Sequence, residues 1–232
     1  STPLVLALLA RPEVRIEVFH DERSAAFAAL GYGLASGRPA LVLCSSGTAG
    51  THFHAAVVEA DLSSVPMLVV TADRPAELRD VAAAQTIDQT HLFGSAVRWF
   101  HDPGAPDDAS ARSWRSLGRR SYRATLDVRP GPVHLNLPFR EPLVGEAGAL
   151  PPGAAGPILG STPSIDISLL AATIGGYDRQ RGIIVAGRGA GANGAAVGAI
   201  ERLSAATGWP VFADPRSGCR HLGSAVVTAD SL

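Results

Sequence analysis

In FHDERSAAFAALGYG, Phe19 to Gly33, one periodicity gives way to another. The run before it, Val14-Arg15-Ile16-Glu17-Val18-Phe19, reads as a strand, whereas Ala25, Ala26, Phe27 and Leu30 recur at helical spacing. Asp21, Glu22 and Arg23 therefore fall at a strand-to-helix turn. Many α/β proteins place a neutral glycine or serine at such a turn, so the carboxylate needs a reason. One is local: an acidic side chain in a helix's first turn is favoured by the helix macrodipole.

The alternation continues on both sides of this junction. Helices are predicted over 3–10, 22–35, 51–60, 75–81 and 109–126, and strands over 14–19, 40–44, 67–71, 96–100 and 133–137. ALVLC (40–44) and MLVVT (67–71) are apolar throughout, as in a parallel sheet covered on both faces. The fold class is α/β, with a doubly wound parallel sheet over residues 1–143. Composition then shifts in VGEAGALPPGAAGPILGSTP, which reads as a linker at 144–163. Residues 164–232 form a partial Rossmann-like unit: helix 164–175, strand 182–187, a glycine turn, helix 193–206, strand 209–214 and a further helix near VTADSL. With two strands this unit looks unfinished, and the opening Ser1 is not a methionine, so the chain is expected to be an excerpt.

Composition narrows the chemistry. Of 232 residues 46% are hydrophobic and the formal charge is -1, which fits a globular protein and gives no footprint for nucleic acid. Every basic residue is arginine, so a lysine Schiff base or a phosphate-binding P-loop lysine is excluded. Cys44 and Cys219 match no metal or redox spacing, His52 and His54 do not share a helix face, and no apolar run would span a membrane. The expected setting is reduced and cytoplasmic.

In a parallel sheet the loops after the strands share one edge. HDER, SSGTAGTH, ADRPAELRD and AAAQTIDQTHLFG are then neighbours, and Glu22, Ser45 to Thr48, Arg74 and Gln85 can line one cleft. Each also has a plainer reading: Thr48 as a helix cap, Arg74 as a partner of Glu77, Gln85 as a satisfier of loop backbone groups. In the second unit Gly187, Gly189 and Ala192 form G-x-G-x-x-A between a strand and a helix, with Asp214 at the next strand's end. That is the context of a dinucleotide fingerprint, although a lone glycine motif is a weak one.

The stretch from HDERSAAF to THLFG, followed by RPGPVHLNLPFREPL, resembles the pyrimidine-binding domain of thiamine-diphosphate enzymes. STPL, DER, Ser45-Ser46-Gly47-Thr48, TADRP and QTI are similar, more narrowly, to the synthases of menaquinone biosynthesis that make 2-succinyl-5-enolpyruvyl-6-hydroxy-3-cyclohexene-1-carboxylate. The resemblance covers Ser1 to about Leu143. It implies that Glu22 hydrogen-bonds N1′ of the cofactor's aminopyrimidine and favours its imino tautomer, a catalytic role a neutral residue could not fill. It implies cofactor contacts from Ser46, Gly47 and Thr48, substrate contacts from Arg74, Gln85 and Ser1, and a place for Gln85 against the reacting adduct. An arginine fork suits the implied substrates, 2-oxoglutarate and isochorismate, since both carry two carboxylates.

The implied reaction is decarboxylation of 2-oxoglutarate and addition of the resulting carbanion equivalent to isochorismate. The cofactors implied are thiamine diphosphate and Mg²⁺, but the family's GDG…N motif for the diphosphate is absent here, so Mg²⁺ is expected on another domain. A homodimer or homotetramer follows, because the family's site forms between subunits. Two alternatives stay open: an acetolactate-synthase-like enzyme acting on pyruvate, and a dinucleotide-binding module. Arg188, Arg216 and Arg220 could also receive a small anionic effector.

Overall fold

The computed structural model describes residues 1–107, 109–146, 148–149, 166–175 and 182–228. They divide into two compact units, Ser1–Pro163 and Ser164–Leu232.

In the first unit α1 (Thr2–Leu9) and α2 (Glu22–Ser36) precede β1 (Ala40–Cys44). A 3-10 turn (Gly47–Phe53) leads into α3 (His54–Leu62), followed by β2 (Met67–Asp73), β3 (Trp99–His101), α4 (Ala111–Thr125) and β4 (Pro132–Pro138). The sheet order is β1-β2-β4-β3 and every pairing is parallel. Successive side chains on β2 and β4 are buried almost without exception, so both faces of these central strands are covered, the polar Thr71, Asp73, His134 and Asn136 included. Parallel pairing puts Cys44, Thr71 and Asn136 in one row near the strands' carboxyl ends.

The core forms where α2 and α3 meet the sheet. Ala26, Ala29, Leu30 and Gly33 recur at i, i+3, i+4 and i+7 and make the buried stripe of α2. Phe53, Val57, Met67 and Phe93 fill the space beside them with no more than 1% exposure. Gly33 is there because nothing larger fits: a Cβ would stand 2.6 Å from Val65 Cγ1 and 2.8 Å from the Pro66 carbonyl oxygen. Gly37, with φ 66°, ends the helix in the left-handed conformation that glycine adopts most easily.

The second unit holds α5 (Ile167–Gly175), β5 (Ile184–Ala186), α6 (Gly194–Thr207), β6 (Val211–Ala213) and β7 (Ala225–Val226). Its parallel sheet runs β5-β6-β7 over a small core of Ala186, Val211, Ala213, Cys219 and Leu222. Asn193 caps α6 through its side chain, accepting from the Ala196 amide at 2.9 Å.

Four expectations are corrected. Residues 15–19 join no ladder: Arg15 pairs with Glu17 at 2.7 Å, Val18 is 85% exposed, and too little apolar surface is buried to order the segment in the sheet. Glu22 thus follows a loop rather than a strand. The helix expected at 75–81 shrinks to a 3-10 turn at Ala76–Leu78, because Asp80 and Ala82 have positive φ and break the spiral. Gly47–Phe53 is a tight 3-10 turn, so α3 begins three residues later than expected. The second unit has three strands rather than the two expected, because Ala225–Val226 pairs with β6; most of the helix expected at VTADSL, residues 229–232, lies outside the described set, as do 150–165, which hold most of the expected linker.

Candidate active site

The polar loops do gather at the carboxyl edge of the first sheet. Asp21 caps α2: its carboxylate accepts from the Ser24 amide at 2.9 Å and from Arg23 at 2.9 Å. Arg23 first and the Ser24 amide next hold its carboxyl down at about 2. Asp21 is therefore occupied with the helix end, while Glu22, the next residue, is partly buried and its side chain makes no hydrogen bond or ion pair among the described residues. Its carboxylate lies close enough to Cys44, the last residue of β1, to act on it. Burial first, and the Glu22 charge second, push the Cys44 thiol up to about 12. The Ser1 nitrogen stands within electrostatic range of both Cys44 and Arg74, so Ser1, Glu22, Cys44 and Arg74 share one neighbourhood.

Beyond Cys44 the chain turns through Ser45, Ser46 and Gly47. Gly47 has φ 81° and is buried, and its amide donates to Gln89 Oε1 at 2.8 Å. A Cβ at Gly47 would stand 3.2 Å from both Cγ and the carbonyl oxygen of Gln85, so the turn needs glycine for conformation and for room. Gln85 itself has φ 57°, an uncommon conformation for a residue with a side chain. Its Nε2 donates to Ser45 Oγ at 2.7 Å and to the Ser46 carbonyl at 3.2 Å. The plain reading of Gln85 is thus met in part, because its amide does hold the loop. Ser46 is buried and precedes the 3-10 turn without a side-chain cap bond. Thr48 is exposed, and its carbonyl accepts from Thr51 Oγ1 at 2.6 Å.

Arg74 leaves β2 with its main chain fixed twice: its amide donates to Asp73 Oδ1 at 2.7 Å and its carbonyl accepts from Arg79 Nε at 3.1 Å. Its guanidinium makes one longer bond, 3.3 Å to the Ala84 carbonyl. Glu77 is not its partner, since that carboxylate is taken by Arg140 at 2.6 and 3.0 Å. Sequence reasoning missed the residues behind these loops. Asp73, Gln89 and Asn136 are buried at the same sheet edge, and the available clue was a polar side chain inside an otherwise apolar strand end.

The arrangement fits the aminopyrimidine part of thiamine diphosphate: a partly buried carboxylate not spent on a hydrogen bond, beside a turn of close main-chain approach. It offers nothing comparable to a metal. Among the described residues no group of three or more His, Cys, Asp or Glu side chains could hold one. The glycine turn of the second unit is arranged against a diphosphate, because the Gly189 and Gly191 amides donate to the Arg216 and Ser217 carbonyls at 3.2 and 2.7 Å. Asp214 likewise turns to its own loop, accepting from the Arg216 amide at 2.7 Å. Among the described residues no helix is long and apolar enough to cross a membrane.

The profile of the family described as thiamine pyrophosphate enzyme, N-terminal TPP binding domain, matches residues 1–92, the span that holds Ser1, Glu22, the Ser46 to Thr48 turn, Arg74 and Gln85. The 2-succinyl-5-enolpyruvyl-6-hydroxy-3-cyclohexene-1-carboxylate synthase of Thermobifida fusca is 45% identical over 226 residues, covering 95% of this chain and 40% of the relative. The protein of the same name from Halobacterium salinarum is 42% identical, covering 98% of this chain and 43% of its own length. That of Thermosynechococcus vestitus is 40% identical, covering 100% of this chain and 42% of the relative. The chain spans about two-fifths of the length of the curated relatives it matches. It belongs to the thiamine-pyrophosphate (thiamine-diphosphate) enzymes, in the group of these carboxylate synthases.

Proposed function

We propose that this chain is the pyrimidine-binding part of a 2-succinyl-5-enolpyruvyl-6-hydroxy-3-cyclohexene-1-carboxylate synthase, a cytoplasmic transferase that joins 2-oxoglutarate, with loss of CO₂, to isochorismate in menaquinone biosynthesis. The observation that carries the reading is Glu22, a carboxylate held at the start of α2 beside Cys44 and left without a hydrogen-bond partner among the described residues. When bound, thiamine diphosphate supplies the electron sink for breaking the bond to the departing carboxylate. Glu22 would hold a proton at N1′ of the aminopyrimidine. Ser46, Gly47 and Thr48 face the cofactor through main-chain groups and a hydroxyl, Arg74 binds a substrate carboxylate through its fork, and Gln85 and Ser1 position the substrate.

On this reading residues 1–143 are the pyrimidine domain, 144–163 a linker and 164–232 the first part of a central domain. The diphosphate and its Mg²⁺ fall to residues outside these 232, and the enzyme works as a homodimer or homotetramer. The relatives' shared name and the coverage of nearly the whole chain support the narrower activity over an acetolactate-synthase-like one.

The test is Glu22→Gln in the complete enzyme, with CO₂ release measured from 2-oxoglutarate and from pyruvate at saturating cofactor. A fall of about 10² or more is expected, since the change removes a positioned acid–base group. Near-normal turnover would remove Glu22 from the chemistry, and a preference for pyruvate would replace the assigned substrate.

A further inference from the structure

Gly47 and Arg74 lie on loops after different strands, yet one chain of hydrogen bonds, buried at Gln89 and Asn136 and partly buried at Arg79, reaches both. It starts at the Gly47 amide, which donates to Gln89 Oε1 at 2.8 Å. Gln89 Nε2 donates onward to Asn136 Oδ1 at 2.8 Å and to the Ala72 carbonyl at 3.0 Å. Asn136 Nδ2 donates to Asp73 Oδ2 at 2.7 Å and to Asp102 Oδ2 at 3.1 Å. Arg79 closes the chain: Nη2 lies 2.9 Å from each of those two carboxylate oxygens, and Nε donates to the Arg74 carbonyl.

Both amides have one possible orientation. Asn136 turns its nitrogen to carboxylates, which only accept here, and Gln89 turns its oxygen to a main-chain N–H, which only donates. Gln89, Asn136 and Asp73 are 1%, 0% and 4% exposed, so water cannot replace a lost partner. A buried polar network with every member satisfied is rigid, and one broken link leaves a desolvated group.

We propose that Gln89, Asn136 and Arg79 are positioning residues that hold the Gly47 turn and the Arg74 main chain as a single body. They fix the spacing between the cofactor turn and the substrate arginine. The functional part of this statement rests on the roles given to the two loops above, whereas the mechanical coupling does not. Its consequence is specific: a change at Arg79, which does not contact the Gly47 turn, loosens that turn.

Hydrogen exchange in the cofactor-free protein tests the coupling without reference to activity. Arg79→Lys keeps a cation for Asp73 and Asp102 but loses the fork that also reaches the Arg74 carbonyl. The Gly47 amide is expected to exchange about 10-fold faster in this variant, with Val42 of β1 unchanged. Gln89→Met removes the acceptor itself and is expected to abolish the protection of Gly47. In the complete enzyme, Arg79→Lys is also expected to raise the thiamine diphosphate concentration needed for half-maximal turnover. Unaltered exchange at Gly47 in Arg79→Lys overturns the proposal, as does an equal rise at Val42, the mark of general destabilisation. If Gln89→Met does not fold, Arg79→Lys alone decides. Full activity in Glu22→Gln would defeat the assigned site and leave the exchange result standing.

Discussion

His134 Nε2 and Thr71 Oγ1 lie 2.8 Å apart between β4 and β2, and the bond can run in only one direction. Thr71 has a single hydroxyl proton, and it goes to Asn136 Oδ1 at 2.8 Å, an atom that only accepts. The hydroxyl oxygen must therefore accept from His134 Nε2–H. The imidazole is thus the Nε2–H tautomer, and its Nδ1 is buried without a partner among the described residues. Phe93 and Phe100 flank the ring at 4.7 and 5.1 Å and enclose it between aromatic side chains.

A pH dependence of stability follows. Burial, aided by the nearby His91 and opposed by Asp102, pulls the His134 pKa down from 6.5 to about 4. Between these values the unfolded chain binds a proton that the folded chain refuses. Stability is therefore complete above pH 6.5, falls as the pH drops toward 4, and loses nothing further from this group below that. The full loss is about 3 kcal/mol by linkage. Urea unfolding at half-unit steps from pH 7.5 to 4 measures it, and His134→Leu is expected to flatten the slope. A variant that keeps the wild-type slope would assign the dependence to another group.

β2 was legible because both of its faces are covered and MLVVT is apolar through its first four residues, so no phase of alternation had to be guessed. The segment at 14–19 shows the opposite case. Its apolar residues alternate with Arg15 and Glu17, a pattern that makes a strand only where a neighbouring surface covers Val14, Ile16 and Val18. Pattern reports what a segment could bury, and packing decides whether it does. Ala225–Val226 is not legible as a strand at all, because a stretch of two apolar residues carries no periodicity of its own.

Two glycines of α2 separate packing from propensity. Gly31 and Gly33 lie on one helix, but a Cβ at Gly31 meets nothing within 4 Å, whereas at Gly33 it collides with Val65 and the Pro66 carbonyl. Gly31→Ala is expected to stabilise by about 0.5–1 kcal/mol, the gain from a better helix former. Gly33→Ala is expected to destabilise by about 1–3 kcal/mol, because a main-chain carbonyl cannot rotate away as a side chain can. Equilibrium denaturation of both variants checks the pair, and shifts of the same sign would contradict the packing of α2.

The candidate site was legible where polar residues follow the strand ends in sequence: Arg74 and the Ser46 to Thr48 turn follow β2 and β1, whereas the placement of Glu22 rests on a strand at 14–19 that does not form. The supporting layer was not. Gln89 bonds a residue 42 positions earlier, and Asn136 bonds one 63 positions earlier, so no local spacing relates them. Within PVHLNLP the polar residues His134 and Asn136 share one strand face, and that was the only trace of a buried network.

Arg74 offers the cleanest separation of function from stability. Its main chain is clamped by Asp73 and Arg79, while its guanidinium makes only the 3.3 Å bond to Ala84. Removing the charge therefore breaks little of the folded structure, and Arg74→Gln is expected to change unfolding free energy by less than about 0.5 kcal/mol. On the role proposed for Arg74, loss of its charge-assisted bond to a substrate carboxylate is worth about 2 kcal/mol, which corresponds to a KM for 2-oxoglutarate raised by about 30-fold. Arg74→Lys should fall between, because an ammonium keeps the charge but not the two parallel donors. Steady-state kinetics in the complete enzyme at saturating thiamine diphosphate give the measurement. If KM stays at the wild-type value in Arg74→Gln while the fold is intact, the guanidinium faces away from the substrate and the carboxylate must be bound elsewhere.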